Sequence, residues 1–99
     1  MLCALTVRRL KAGAFDQFAK TFPPSSTETP PEGWVRFNML RDTSDENRVV
    51  TFGFFDGTLD ELERNQAEQG YQERRAAVDE LVEDVPVNGV FEVVVDRAR

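Results

Sequence analysis

Arg36 and Asn38 stand two residues apart in the run Trp34-Val35-Arg36-Phe37-Asn38-Met39-Leu40-Arg41. In an extended strand that spacing sends both side chains to one face. A guanidinium and a carboxamide on one face are donors that can hold a developing oxyanion. Glu92, in a second β-prone run, is the carboxylate that can take up a proton if it is buried beside them. These three are the candidate catalytic groups. Trp34, Phe55 and Tyr71 supply aromatic surface and Thr51 a hydroxyl, which makes them the candidate substrate-binding residues for a planar apolar ligand. Each also has a plainer reading. Arg36, Asn38 and Glu92 fall on expected edge strands, where they can reach water. Aromatic residues fill cores and dimer seams, and threonine favours strands.

The composition narrows the chemistry further. The chain of 99 residues has no histidine, which removes His-ligated zinc and haem and the Ser-His and Cys-His nucleophile pairs. No carboxylate spacing marks a metal site, and no glycine-rich loop has nucleotide-binding spacing, so neither metal nor cofactor is expected. Cys3 is the lone cysteine and cannot form an intrachain disulfide; a buried, inert thiol in a reducing, cytoplasmic setting is expected. The net charge of −6 weighs against nucleic acid and anionic membrane as partners. No apolar run approaches the roughly 18 residues of a membrane span. The segment Met1 to Val7 is too short for a signal-peptide core, and its positive charges follow it. Arg8-Arg9 is a pair that can bind an anion, but a solvated strand end is the expectation. The acids concentrated between Asp56 and Asp84 read as a solvated helix face.

The elements that must position these groups follow from periodicity. Leu2 to Arg9 alternates as a strand. Phe15, Phe18, Ala19 and Phe22 recur at helical spacing, which predicts a helix over Ala14 to Phe22, stopped by Pro23-Pro24. Residues 23–33, rich in proline, form a returning loop. Two β-prone runs, Trp34 to Arg41 and Arg48 to Asp56, flank the polar stretch Asp42 to Asn47 and predict a hairpin. Thr58-Leu59-Asp60-Glu61 is a capping box that opens a helical region. An unbroken helix from Leu59 to Asp84 would run about 39 Å at 1.5 Å per residue, longer than any strand here, so a break near Gly70 is expected. A main helix from Tyr71 then carries Val78, Leu81, Val82 and Val85 on one stripe and ends at Pro86. Val87 to Asp96 is the last strand.

The order βαββαβ with right-handed crossovers predicts an α+β, ferredoxin-like fold: one domain over residues 1–99, a four-stranded antiparallel sheet of order 4-1-3-2, and both helices on one face. Strict alternation groups Val35, Phe37 and Met39 with Cys3, Leu5, Val7, Val50, Phe52 and Phe54. It groups Trp34, Arg36, Asn38 and Leu40 with Thr6, Arg8, Val49, Thr51, Phe55 and Glu92. Both faces carry large apolar residues, yet two helices cover only one. A second copy packed on the open face about a two-fold axis supplies the missing layer, so a homodimer is expected.

With these elements placed, the chain resembles the dimeric α/β-barrel superfamily, in particular the antibiotic-biosynthesis-monooxygenase-like domains. Arg9 to Phe18 is similar to the Lys-Pro-Gly-then-helix opening after their first strand. Leu40-Arg41-Asp42 through Val49 to Asp56 resembles their central hairpin, and Asn88-Gly89-Val90-Phe91-Glu92-Val93 their last strand. The resemblance implies a homodimer with a pocket in each subunit. Some members oxidise phenolic or quinol-type aromatics without a cofactor; others degrade haem through a histidine that this chain lacks. Two functions therefore stand side by side: a cofactor-independent monooxygenase of a small aromatic, and a non-catalytic dimeric module that binds a small apolar ligand or only assembles. Thr51-Phe52-Gly53-Phe54-Phe55 also resembles part of the RNA-recognition-motif signature. The basic-Gly pair of that signature is Val50-Thr51 here, Gly57 replaces its final aromatic, and the acidic charge opposes RNA.

Overall fold

Alternating apolar residues and a paired capping box set most of the element boundaries. The computed structural model describes residues 1–21, 32–68 and 76–99. The elements are β1 (Leu2–Leu10), α1 (Phe15–Thr21), β2 (Trp34–Asp42), β3 (Asp45–Phe55), α2 (Leu59–Glu68) and β4 (Val82–Glu92), and residues 76–79 are also helical. The strands form one antiparallel sheet of order β2-β3-β1-β4 with the helices on one face, which is the expected order read from the other edge. None of the described helices is long and apolar enough to cross a membrane.

The helices form where local chemistry favours them. Gly13 takes φ 75°, turning the chain from β1 into α1. Asp16 in the first turn and Lys20 in the last complement the helix dipole. Phe18, fully buried, drives α1 onto the sheet, where it meets Leu10, Val49 and Val78. The capping box is realised at α2: the Glu61 backbone N–H donates to Thr58 Oγ1 at 3.2 Å, and the Thr58 N–H donates to Glu61 Oε1 at 3.2 Å. Leu62 is the fully buried residue of that helix.

Three expectations are corrected. The hairpin turn is not the six-residue stretch Asp42 to Asn47 but the pair Thr43-Ser44. Asp42 Oδ1 accepts from the Ser44 backbone N–H and hydroxyl, both at 2.8 Å, and this local turn frees Asp45 to begin β3. The helix does not continue to Val85. Helical structure stops at residue 79, the Lys11 N–H donates to the Leu81 carbonyl, and β4 starts at Val82 opposite Leu10. The β-branched run Val82, Val85, Val87 favours a strand. Pro86 is tolerated there because β4 is an edge strand with a register shift beside it. The strand ends at Glu92 rather than Asp96. Gly70, Tyr71, Phe22 and most of the proline-rich loop lie outside the described residues.

The third correction concerns faces. The register shifts between Trp34 and Arg36: Trp34 pairs with Phe55, Arg36 with Phe54, Phe37 with Gly53 and Met39 with Thr51. Val35 is the extra residue of a β-bulge, and from Arg36 to Arg41 the side chains of β2 lie on the face opposite to the one strict alternation predicts, until a second shift at Asp42. Trp34, Phe37, Met39 and Arg41 therefore share the helix-covered face. Arg36, Asn38 and Leu40 share the open face with Val50, Phe52 and Phe54.

At the far end of the sheet, Arg9 Nη1 donates to Asp45 Oδ2 at 2.7 Å, with Glu83 4.0 Å away. The Arg9 hydrogen bond, then the Asn47 backbone N–H, hold the Asp45 carboxyl below its ordinary value of 3.8. A carboxylate with a lowered folded pKa binds fewer protons folded than unfolded. Its contribution is present above 3.8 and lost as pH falls through the lower folded value. Thermal melts should show Asp45→Asn less stable than the native chain at neutral pH, with the gap closing on acidification and shrinking in high salt, because the pair is exposed. A gap that is independent of pH would contradict this.

Candidate functional site

The helix side of the sheet has a low floor between two walls. β1 contributes Ala4, Thr6 and Arg8 to it, and β3 contributes Thr51, Gly53 and Phe55. Ala4 pairs with Gly53 and Thr6 with Thr51, so small residues sit side by side on the two central strands. Ala4 and Thr6 remain partly exposed although they lie on a central strand under the helices. Water reaches these two residues, while Arg8, Thr51, Gly53 and Phe55 around them are buried; the surface over Ala4 and Thr6 is the candidate cleft.

One wall is aromatic. Trp34 stacks at a tilt on Phe37, ring centroids 4.7 Å apart, and meets Phe55 edge-on at 5.2 Å. The Trp34 indole N–H donates to Asn65 Oδ1 at 3.0 Å, tying β2 to α2. Gly53 is small because it must be: a Cβ there would stand 2.8 Å from both the Trp34 and Phe37 rings. Phe55 is pinned in turn between Gly33, at φ 91°, and Gly57, whose added Cβ would come within 2.7 Å of its ring. The Asp56 N–H donates to the Gly33 carbonyl at 2.8 Å and closes this end.

The other wall carries charge. Arg8 is only 8% exposed. Its Nη1 donates to the buried Thr51 Oγ1 at 2.7 Å, and its guanidinium lies 5.7 Å from the centre of the Phe18 ring. Thr6 donates to Asn88 Oδ1 at 3.3 Å on the neighbouring strand. Among the described residues no buried side-chain nitrogen or oxygen lacks a hydrogen-bond partner. The arrangement can seat a flat apolar body against Trp34 and a polar atom near Arg8 and Thr51.

The structure sorts the sequence candidates into two sets. Trp34, Phe55 and Thr51 come together on the helix side. Arg36 and Asn38 do not join them: the bulge at Val35 turns both to the open face, where the Arg36 guanidinium lies 5.6 Å from the centre of the Phe54 ring. Glu92 pairs with Leu2 at the last position of β4 and is exposed, so the burial its role required is missing. Tyr71 lies outside the described residues. Two residues were missed. Arg8 was expected in water, although alternation from Ala4 and Thr6 placed it on their face. Asn65 follows the buried Leu62 by three residues, the spacing that puts it on the same side of α2. Cys3 lies on the open face with its thiol pushed up by burial, which keeps it neutral.

Neither a protein-family profile nor a curated protein matches the chain. Solved structures do. A candidate antibiotic biosynthesis monooxygenase from Chloroflexus aurantiacus superposes with TM-score 0.76 at 12% identity, covering 98% of this chain and 96% of that one. Its counterpart from Nitrosomonas europaea gives 0.74 at 17% identity, covering 96% and 100%. A variant of SnoaB, a cofactor-independent oxygenase from Streptomyces nogalater, gives 0.67 at 18% identity, covering 96% and 94%. At such identities the likeness speaks to architecture: the fold is that of the antibiotic-biosynthesis-monooxygenase-like domains.

Trp34 is the only tryptophan, so its fluorescence reads the aromatic wall directly. Gly53→Ala should displace the Trp34 and Phe37 rings, shift the emission, and cost about 1–3 kcal/mol in urea denaturation. Unchanged emission with unchanged stability would show that the rings do not lean over Gly53.

Proposed function

We propose that this chain is a cofactor-independent monooxygenase acting on a small phenol- or quinol-type aromatic, and that it works as a homodimer. The observation that carries the reading is the cleft itself. An aromatic wall of Trp34, Phe37 and Phe55 adjoins a floor of Ala4 and Thr6, with the buried Arg8–Thr51 pair beyond, in a fold shared with a cofactor-independent oxygenase. The overall reaction balances without any protein-bound redox group. A phenol loses its hydroxyl proton, the electron-rich ring reduces dioxygen and forms a carbon–oxygen bond, and the peroxide loses water to leave a quinone. One dioxygen is consumed, and one of its oxygens leaves as water. The protein's part is to hold the ring in place and exclude bulk water. The lone Cys3 suits a reducing, cytoplasmic setting. The ring-on-ring packing over Gly53 favours a second reading, a non-catalytic module whose interior is filled by its own side chains.

The dimer is supported by the open face. Cys3, Leu5, Phe52 and Phe54 are half-buried there, while Leu40 is 48% and Phe91 49% exposed. Each such side chain gains roughly 1.5–3 kcal/mol on full burial. A second copy laid on this face completes a two-layered barrel.

Two measurements test the proposal. Metal-free protein mixed in air with a panel of phenols and quinols should consume oxygen and form quinone above the uncatalysed rate, unaffected by chelator. Trp34→Ala should lower that rate by at least about tenfold. No uptake with any member of the panel would favour the non-catalytic module. Sedimentation at micromolar concentration should give twice the chain mass of 11.3 kDa, and Leu40→Glu should shift it toward monomer. A native chain that sediments as a monomer would end the dimer reading.

A further inference from the structure

The sequence asks for more strand than the sheet provides. Val90-Phe91-Glu92-Val93-Val94-Val95 is a β-branched and aromatic run, and the strand it predicts continues to Asp96. β4 nevertheless ends at Glu92, opposite Leu2, where β1 begins. One further rung follows, in which the Val93 N–H donates to the Met1 carbonyl at 3.0 Å. Beyond it no strand of the described residues lies beside the chain, and Val94 and Val95 stand 83% and 67% exposed. Among the described residues nothing bonds to the backbone of residues 94–96. Adjacent exposed valines on an unpaired backbone are a template for strand addition.

We propose that the segment beginning at Val94 crosses to a second copy of this chain and adds as a strand to the outer edge of its β2, so that each subunit clasps the other. The inference rests on the dimer of the preceding reading and is independent of its chemistry. Two observations choose this occupant. First, the segment continues β4, whose Val87 and Phe91 pair with Val7 and Cys3 on the open face. It therefore leaves the sheet at the margin of the surface on which the second copy is laid. Where two sheets pack orthogonally, the corner is made by a strand that leaves one sheet and joins the other. Second, the two edges on offer differ. β4 accepts a strand poorly, because Pro86 has no N–H and the register shifts between Val7 and Leu10. β2 contains no proline, is regular from Arg36 to Arg41, and has no strand on its outer side among the described residues. Leu40, half exposed on that edge, gives the valines an apolar side chain to pack against.

Hydrogen exchange of the native full chain tests the pairing. Amides within Val94–Asp96 should exchange at least about 100-fold more slowly than in an unstructured peptide, and only at concentrations where sedimentation gives the dimer. A mixture of labelled and unlabelled copies should show nuclear Overhauser contacts between copies, from Val94 and Val95 to the Arg36–Arg41 stretch. The double variant Val94→Pro/Val95→Pro should keep the circular dichroism of the native chain, because these residues make no rung within it. It should weaken dimerisation at least about tenfold, the equivalent of one or two hydrogen bonds. A native dimer whose Val94–Asp96 amides all exchange at the unstructured rate would overturn the strand addition and leave the dimer standing. Contacts between copies that reach β4 in place of β2, or a dimer whose strength the two prolines leave unchanged, would do the same. A native monomer would overturn both.

Discussion

One inserted residue decides which side chains meet. Val35 has no partner across the β2–β3 ladder, and the register on either side of it differs by one. Because side chains alternate with a period of two, this bulge puts Trp34 and Phe37 on the same face, where regular alternation would separate them. The two rings close over Gly53, the only size of residue that leaves them room. Without the bulge, Arg36 and Asn38 would line the cleft and Phe37 and Met39 would face outward. The aromatic character of the cleft, and the removal of two polar groups from it, both follow from that single step.

The two faces of the sheet answer different demands. On the helix side, Phe18, Leu62 and Val78 anchor the covering layer, and a charged residue is tolerated because it is hydrogen-bonded there. Burying Arg8 is costly in itself, and the hydrogen bond to Thr51 offsets part of that cost. On the open side, apolar side chains from all four strands are left at partial exposure, with no helix of the described residues above them. A surface of that kind calls for a partner rather than for water.

Much of the fold was legible in the sequence because local and long-range signals agreed. The Phe15–Phe18 spacing, the Thr58–Glu61 box and the β-prone runs each pointed to one element, and handedness rules then left one strand order. The site was legible only in part. Trp34, Phe55 and Thr51 could be chosen by chemical type, but their grouping depended on a bulge for which Val35 carries no distinguishing chemistry. Arg8 was hidden by its neighbour Arg9, since a basic pair at a strand end reads as solvated. The start of β4 was obscured because Leu81, Val82 and Val85 satisfy helical spacing as well as strand propensity, and pairing with Leu10 settles the matter only in three dimensions.

The central claim is that a small aromatic occupies the helix-side cleft and not the open face. Amide and indole chemical shifts from a nitrogen-15-labelled sample, followed while phenol is titrated in, test it most directly. The single indole N–H of Trp34, with the amides of Ala4, Thr6 and Gly53, should move together along one saturable curve, while Leu40 and Phe91 stay still. Shifts confined to Leu40, Phe52, Phe91 and their open-face neighbours, with the Trp34 indole unmoved, would contradict the account.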